Sequence, residues 1–201
     1  MGHSHRSLLF LAVLVLLNAN PLAAQTQAAV RVTAPEAFLG FKPGADYKLA
    51  SYAQASAYFD LLASQTGRMR MADMGPTPMG RRMKYAVISS EENLRRLDRH
   101  KAIARGLSLA RGIGAAEAGK MAAEGKAIVW IDGGLHATEC APAQHLIQLA
   151  YDLVTAEDES TLRIRNNTIA LLVFPNPDGM DLVAEWYMKN VGTKYETSGF
   201  P

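Results

Sequence analysis

The stretch 127-AIVWIDGGLHATECAPAQHLIQLAYDLV-154 decides the fold, because a strand pattern passes into a helix pattern within it. Its first five residues, AIVWI (127–131), are continuously apolar, which predicts a strand buried on both faces. Helix-forming residues then run over about 138–154. A second apolar run, ALLVF (170–174), follows a polar connection and predicts a second buried strand. Strand, helix and strand at this spacing predict a βαβ unit with parallel strands.

Two shorter strand patterns lie upstream of this unit. The runs RMRMADM (68–74) and RMKYAVIS (82–89) flank the turn sequence GPTPMGR (75–81), and together they predict a β-hairpin. Helical spacing of apolar residues predicts further helices over 46–67, 92–110 and 115–126. The pattern as a whole predicts an α/β fold with a mixed, mostly parallel twisted sheet flanked by helices.

The composition excludes several classes of function. The 201 residues are 49% hydrophobic and 20% charged, with a formal net charge of +2. This charge is too small to indicate binding to nucleic acid or to an anionic membrane surface, and no cluster of Lys and Arg interleaved with aromatic residues is present. We therefore expect no nucleic-acid partner.

The N-terminus has the layout of a secretory signal peptide, predicted over 1–24. Arg6 precedes an apolar run over 8–17, and small residues follow. The alternative, an uncleaved membrane anchor, needs about 20 apolar residues, and this run is half as long. We therefore expect a secreted or periplasmic protein without stable membrane association after cleavage. Residues 25–45 are predicted to form an irregular lead-in.

Cys140 is the only cysteine, so no disulfide can form within the chain. Its position beside Glu139 raises the possibility of a thiol nucleophile. Such a thiol needs a nearby base and an electropositive setting, which the sequence does not show. We favour a small buried residue at the start of a helix.

The candidate site lies where the two predicted parallel strands end. Gly133, Gly134, His136 and Glu139 follow the first strand, and the segment PNPDG (175–179) follows the second. Ligands of open α/β sheets bind beyond the carboxyl ends of the strands, so both turns are expected at one edge of the sheet. The two glycines would let the backbone turn sharply and keep space open for a substrate.

His136 and Glu139 carry the ligand types of a hydrolytic zinc site. Such a site has three protein ligands and one position for water, whose pKa the metal lowers to about 7. A gap of three residues lets both side chains reach one ion. The alternative is an ordinary surface or packing histidine beside an unrelated glutamate. Their position after a strand and two glycines, and before a helix, favours the metal site.

Three blocks resemble the zinc carboxypeptidases, the carboxypeptidase A-like metallopeptidases. IDGGLHATE (131–139) resembles the first metal-binding motif of that family, NPDG (176–179) its later motif, and GPTPMGRRMKYAVIS (75–89) its early Gly-Arg and strand segment. The blocks keep the family's order over roughly residues 46–190. The resemblance implies a catalytic domain from residue 46 onward, a Zn²⁺ cofactor, and a peptide or protein substrate hydrolysed by metal-activated water.

Carried over by position, the resemblance makes His136 and Glu139 the first two zinc ligands and gives Asp132 and the NPDG residues a role in shaping loops. Thr138 departs from the pattern, because many family members have an Arg there that contacts substrate. The oxyanion-stabilising Arg expected after NPDG is also missing, since no Arg follows Arg165.

The resemblance implies that the family's third ligand, a His, its general-base Glu and its carboxylate-binding pair are to be expected further along the chain than residue 201. Residues 46–201 are therefore expected to be the N-terminal part of the domain, with the fold incomplete at the C-terminus and no catalytic residue assigned within this chain. His100, in a charged helix, and His145, six residues beyond Glu139, are both expected to be ordinary surface or packing residues.

Two alternatives remain open at this level. A zinc-dependent amidohydrolase or cell-wall peptide hydrolase of the same fold is favoured by Thr138 and by the missing Arg. A non-catalytic secreted binding protein would be favoured by a soluble, cooperative, metal-free fold of residues 25–201. The sequence assigns no substrate-binding residue.

Overall fold

The computed structural model describes residues 32–199, which form a four-stranded sheet flanked by helices. The predicted signal peptide lies outside the described residues. The strands are β1 (Met69–Pro76), β2 (Arg82–Ile88), β3 (Ala127–Asp132) and β4 (Thr168–Val173). The helices are α1 (Pro35–Leu39), α2 (Tyr52–Gln65), α3 (Glu91–Arg95), α4 (Leu97–Leu109), α5 (Ala115–Glu124), α6 (Cys140–Thr155), α7 (Glu159–Asn167) and α8 (Pro177–Asn190).

The sheet has the order β1-β2-β4-β3, and its pairings confirm both predicted strand units. β1 and β2 form the antiparallel hairpin. β3 and β4 are parallel, with α6 and α7 between them along the chain. β4 pairs with β2 in antiparallel orientation. The mixed sheet is thus confirmed, although parallel pairs do not predominate among the described strands.

Several element boundaries differ from the predicted ones for local reasons. α2 begins six residues later than the apolar pattern indicated, because Ser51 caps it in a reciprocal capping box with Gln54. Residues 92–110 contain a break at Arg96, which separates α3 from α4. The polar connection after α6 contains α7, which Asp158 caps by accepting a hydrogen bond from the Thr161 N–H. The short helix α1 lies within the predicted irregular lead-in.

The main core lies between one face of the sheet and the helices α2 and α6. Its largest buried side chains include Phe59 of α2, Ile147 of α6, and Leu172 and Phe174 in and after β4. The rings of Phe59 and Phe174 lie 5.2 Å apart. β4 is buried on both faces as predicted, and this central position fixes the point at which the chain leaves the sheet towards α8.

The prediction that AIVWI is buried on both faces is wrong. β3 pairs with β4 alone among the described strands, and Ile128, Val129 and Trp130 are 47%, 39% and 52% exposed. A continuously apolar run indicates a strand whose side chains are covered on both faces. It does not tell which part of the chain covers them, and residues 32–199 leave these side chains exposed. Among the described strands, the one that leads into the candidate site is therefore an edge strand, with exposed apolar side chains and one side of its backbone unpaired.

No helix within residues 32–199 is both long enough and apolar enough to cross a bilayer.

The exposed edge of β3 predicts self-association of a protein limited to residues 25–201. An unpaired apolar strand is a template for pairing with another chain, and lysine on such an edge opposes that pairing. We expect Ile128→Lys to reduce the concentration-dependent association measured by sedimentation velocity. The matched control is Leu182→Lys on α8, where a leucine of similar exposure, 51%, is remote from a strand edge. Equal association of the two variants would contradict this account.

Candidate metal centre

The segment of residues 133–139, named here the His136 loop, connects β3 to α6. At its start the Gly133 N–H donates to the carbonyl oxygen of Val173 at 3.1 Å, which extends the pairing of β3 with β4 by one step. Gly134 then adopts a φ of +89°, a left-handed conformation that favours glycine over residues with a side chain. The chain thus leaves the sheet through a sharp turn at the carboxyl end of β3.

Gly133 is also required by a close approach of two backbone segments. A Cβ atom at this position would lie 2.5 Å from the carbonyl oxygen of Pro142 and 2.8 Å from its carbonyl carbon. Pro142 belongs to the first turn of α6, so the loop folds back against the helix that it introduces. The glycine keeps the His136 loop close to α6.

His136 and Glu139 lie side by side at the outer surface of this loop. The Nδ1 atom of His136 is 3.1 Å from Oε2 of Glu139, and the two side chains are 70% and 65% exposed. The Glu139 N–H also donates to the His136 carbonyl oxygen at 3.0 Å. This turn within the loop brings both side chains to one side of it, as their spacing in the sequence suggested.

The two donors fit one zinc ion in chemistry and in spacing. Imidazole nitrogen and carboxylate oxygen bind zinc at about 2.0–2.2 Å, which separates two donors of one tetrahedral shell by roughly 3.3 Å. The observed separation is 3.1 Å. Within residues 32–199, no group of three or more His, Cys, Asp or Glu side chains is arranged to hold a metal. Among the described residues, His136 and Glu139 thus offer two of the three protein donors that such a site needs.

The structure also shows the surroundings of the other residues that the sequence analysis singled out. Cys140 begins α6, and burial raises the pKa of its thiol, so the uncharged form is favoured and a nucleophilic role is not supported. Asp132 accepts a hydrogen bond from the Trp130 indole N–H at 2.8 Å. His100 is a packing residue of α4, only 2% exposed, and His145 lies on the exposed side of α6.

The NPDG segment begins a helix, where the sequence analysis predicted a turn. Asn176 is the N-cap of α8, and its Oδ1 atom accepts a hydrogen bond from the Gly179 N–H at 2.9 Å. Pro177 occupies the first helical position, where its missing N–H costs nothing. The Nδ2 atom of Asn176 donates to the Leu135 carbonyl oxygen at 3.1 Å. This contact confirms that the segments after β3 and β4 meet at one edge of the sheet.

Sequence reasoning missed an ionic cluster behind the NPDG segment. Arg81, at the end of the hairpin turn, donates from Nε to Asp181 at 2.6 Å and from Nη1 to Asp178 at 3.0 Å. Asp178 also accepts hydrogen bonds from the Thr77 hydroxyl and the Met79 N–H. The opposite charges of the Gly-Arg and NPDG blocks were the only signal in the sequence for this pairing.

Electrostatics keep both partners of this cluster ionised. Burial by itself would raise the pKa of Asp178, but the Thr77 hydroxyl, the Met79 N–H and the Arg81 guanidinium together hold it below the ordinary aspartate value. The pKa of Arg81 is raised, chiefly by its hydrogen bond to Asp181. The charge pairing that anchors α8 is therefore present at neutral pH.

An open groove of about 750 Å³ lies beside the His136 loop, between α6, α8 and the segment that precedes α2. Thr138 lies at its border with the loop. Its walls include the aromatic side chains of Tyr47, Trp186 and Tyr187, together with Lys48. The groove thus combines an apolar, aromatic surface with charged side chains of both signs, Lys48 and Asp46.

Comparison with known proteins supports the resemblance found in the sequence. A family model described as zinc carboxypeptidase matches residues 55–199. Ten chains of known structure match; one is the carboxypeptidase A from Helicoverpa armigera, at 19% identity and a TM-score of 0.47. That match covers 81% of this chain and 33% of the other, so the chain spans about a third of that carboxypeptidase A. No curated protein matches.

The tight packing at Gly133 predicts a large difference between two glycine-to-alanine substitutions. Gly133→Ala forces a methyl group against backbone atoms of Pro142, and we expect a loss of about 1–3 kcal/mol in the free energy of unfolding. Gly119→Ala, in the open interior of α5, should increase that free energy by about 0.5–1 kcal/mol. Denaturant unfolding measures both. A harmless Gly133→Ala substitution would contradict the close approach of the loop to α6.

Proposed function

This chain belongs to the zinc carboxypeptidase family, and we propose that it is the N-terminal part of a zinc-dependent carboxypeptidase that hydrolyses C-terminal peptide bonds. The observation that carries this proposal is the pair His136 and Glu139, whose donor atoms lie 3.1 Å apart on an exposed loop. The distance and the exposure alone do not distinguish a metal site from an ordinary surface ion pair. The position of the pair at the carboxyl end of a parallel strand, behind two glycines, is that of a binding site.

In this proposal His136 and Glu139 hold one zinc ion. When bound, zinc would lower the pKa of a water molecule and polarise the scissile carbonyl group. The two side chains supply one neutral and one anionic donor, so the ion would retain a net positive charge. Their exposure leaves the outer side of the loop accessible to a peptide chain.

The third zinc ligand and the general-base glutamate are proposed to come from chain that follows residue 201. Support comes from β3, whose free edge exposes Ile128, Val129 and Trp130. A further strand parallel to β3 at this edge would end beside the His136 loop, because parallel strands carry their carboxyl ends to one edge of the sheet. The side chains after such a strand would face His136 and Glu139.

The site of action is proposed to lie outside the cytoplasm. The supporting feature is the segment 1–24, with Arg6 ahead of an apolar run and small residues after it. Residues 46–201 would then form the first part of a secreted or periplasmic catalytic domain that acts on peptides or proteins. We propose that the protein does not associate stably with a membrane after the signal segment has been cleaved.

Thr138 favours a second candidate function, hydrolysis of an acyl-amino acid or of a cell-wall peptide. Thr138 lies at the border between the His136 loop and the groove, whose walls include Tyr47, Trp186 and Tyr187. The neutral Thr138 side chain beside an aromatic groove suits a substrate with an acyl group or an apolar side chain better than a substrate with a charged group at this position. Rates on N-acyl amino acids and on N-blocked peptides, measured with the full-length protein, distinguish the two candidates.

We expect the full-length protein to release C-terminal residues from N-blocked peptides, and a chelator to abolish that activity until Zn²⁺ is restored. Loss of either donor leaves the ion with an incomplete shell, so His136→Ala and Glu139→Ala should each lower kcat/KM by at least about 100-fold. The measurement is the rate of release at several substrate concentrations, after unfolding curves have established that the variants fold.

Glu117→Ala, which removes an exposed glutamate of α5, is the matched control and should keep the parental rate. Full activity of His136→Ala, or activity unaffected by the chelator, would refute the proposed role of the pair.

A further inference from the structure

We propose that Asn176 is a positioning residue for the zinc site, holding the His136 loop in place through the backbone of Leu135. This inference rests on the proposed function, since it concerns the same site. The Nδ2 atom of Asn176 donates to the Leu135 carbonyl oxygen at 3.1 Å. Leu135 directly precedes His136, so this hydrogen bond fixes the peptide unit from which the proposed ligand projects.

The amide of Asn176 makes two hydrogen bonds of opposite polarity. Its oxygen accepts from the Gly179 N–H at 2.9 Å and caps α8. Its nitrogen donates to Leu135. Because one partner is an N–H group and the other a carbonyl oxygen, the two partners determine the orientation of the amide. Aspartate and serine are equally good N-caps, but neither carries the N–H donor that the loop contact needs.

Close packing adds a second constraint between α8 and the loop. A Cβ atom at Gly179 would lie 2.7 Å from the Cβ atom of Ala137 and 2.5 Å from Nδ2 of Asn176. Ala137 is the residue after His136. The first turn of α8 therefore contacts the His136 loop on both sides of the proposed ligand, through a hydrogen bond at Leu135 and through van der Waals packing at Ala137.

The first turn of α8 is in turn anchored to the other side of the domain. Arg81 bridges Asp178 and Asp181 at 3.0 and 2.6 Å. Asp181, which is 4% exposed, also accepts a hydrogen bond from the Ala53 N–H in the first turn of α2 at 3.2 Å. These contacts fix α8 relative to the hairpin and α2. The position of the loop is therefore tied, through Asn176 and Gly179, to the hairpin and α2.

The decisive variant is Asn176→Asp in the full-length protein. The aspartate keeps the N-cap of α8 but places a carboxylate oxygen against the Leu135 carbonyl oxygen. We expect amide hydrogen exchange of Glu139, whose N–H donates to the His136 carbonyl oxygen, to become about tenfold faster, because one hydrogen bond that restrains the loop is lost. The denaturant midpoint should fall by less than in Asn176→Ala, because the aspartate keeps the cap of α8. The affinity for Zn²⁺, measured by competition with a chromogenic chelator, should fall by about tenfold or more.

Asn176→Ser provides a second variant without the added charge, since serine caps the helix but is too short to reach Leu135. It should show the same faster exchange and the same weaker zinc binding. Asn176→Ala, which loses both hydrogen bonds, should lower the denaturant midpoint by more than either of the other two variants. Parental exchange rates at the Glu139 amide of both the Asp and the Ser variant would overturn the positioning role.

The exchange measurement is made without metal, so it separates this inference from the proposed function. If His136→Ala binds Zn²⁺ as tightly as the parent, the zinc site itself is wrong. In that case, faster exchange in Asn176→Asp would still establish that Asn176 restrains the loop. Unchanged zinc affinity in Asn176→Asp would overturn the role of Asn176 in positioning a ligand.

Discussion

The parallel pairing of β3 with β4 is the constraint on which the candidate site depends. It carries the carboxyl ends of both strands to one edge of the sheet, so the His136 loop and the NPDG segment emerge next to each other. The hydrogen bond from the Gly133 N–H to the Val173 carbonyl oxygen continues the pairing to the point where the loop turns away. Without this register, Leu135 and Asn176, which are 41 residues apart in sequence, would not be neighbours.

The loop is restrained by backbone contacts, whereas its two donor side chains remain exposed. Gly133 packs against the backbone of Pro142, and Gly179 packs against Ala137. Both contacts require a residue without a side chain. Close packing therefore explains the two glycines better than a need for a flexible backbone does. Exposed side chains on a restrained backbone suit a site that must hold an ion and still admit a substrate.

The sequence predicted the βαβ unit, the hairpin and the meeting of the two loops, because each has a local pattern or follows from strand direction. It did not predict that β3 is exposed, because AIVWI has the same composition at the edge of a sheet as at its centre. The helix α7 was hidden by its polar composition, and its cap at Asp158 is a short-range signal. The bridge from Arg81 to Asp178 and Asp181 spans about 100 residues, and no local pattern encodes such a contact.

The central claim is that His136 and Glu139 bind the same zinc ion through the atoms that face each other in the loop. Crystals of the zinc-loaded full-length protein, measured on both sides of the zinc absorption edge, test it most directly. The account predicts an anomalous peak shared by Nδ1 of His136 and the carboxylate of Glu139, at bonding distance from both. A peak at other residues, with His136 and Glu139 still hydrogen-bonded to each other, would contradict it.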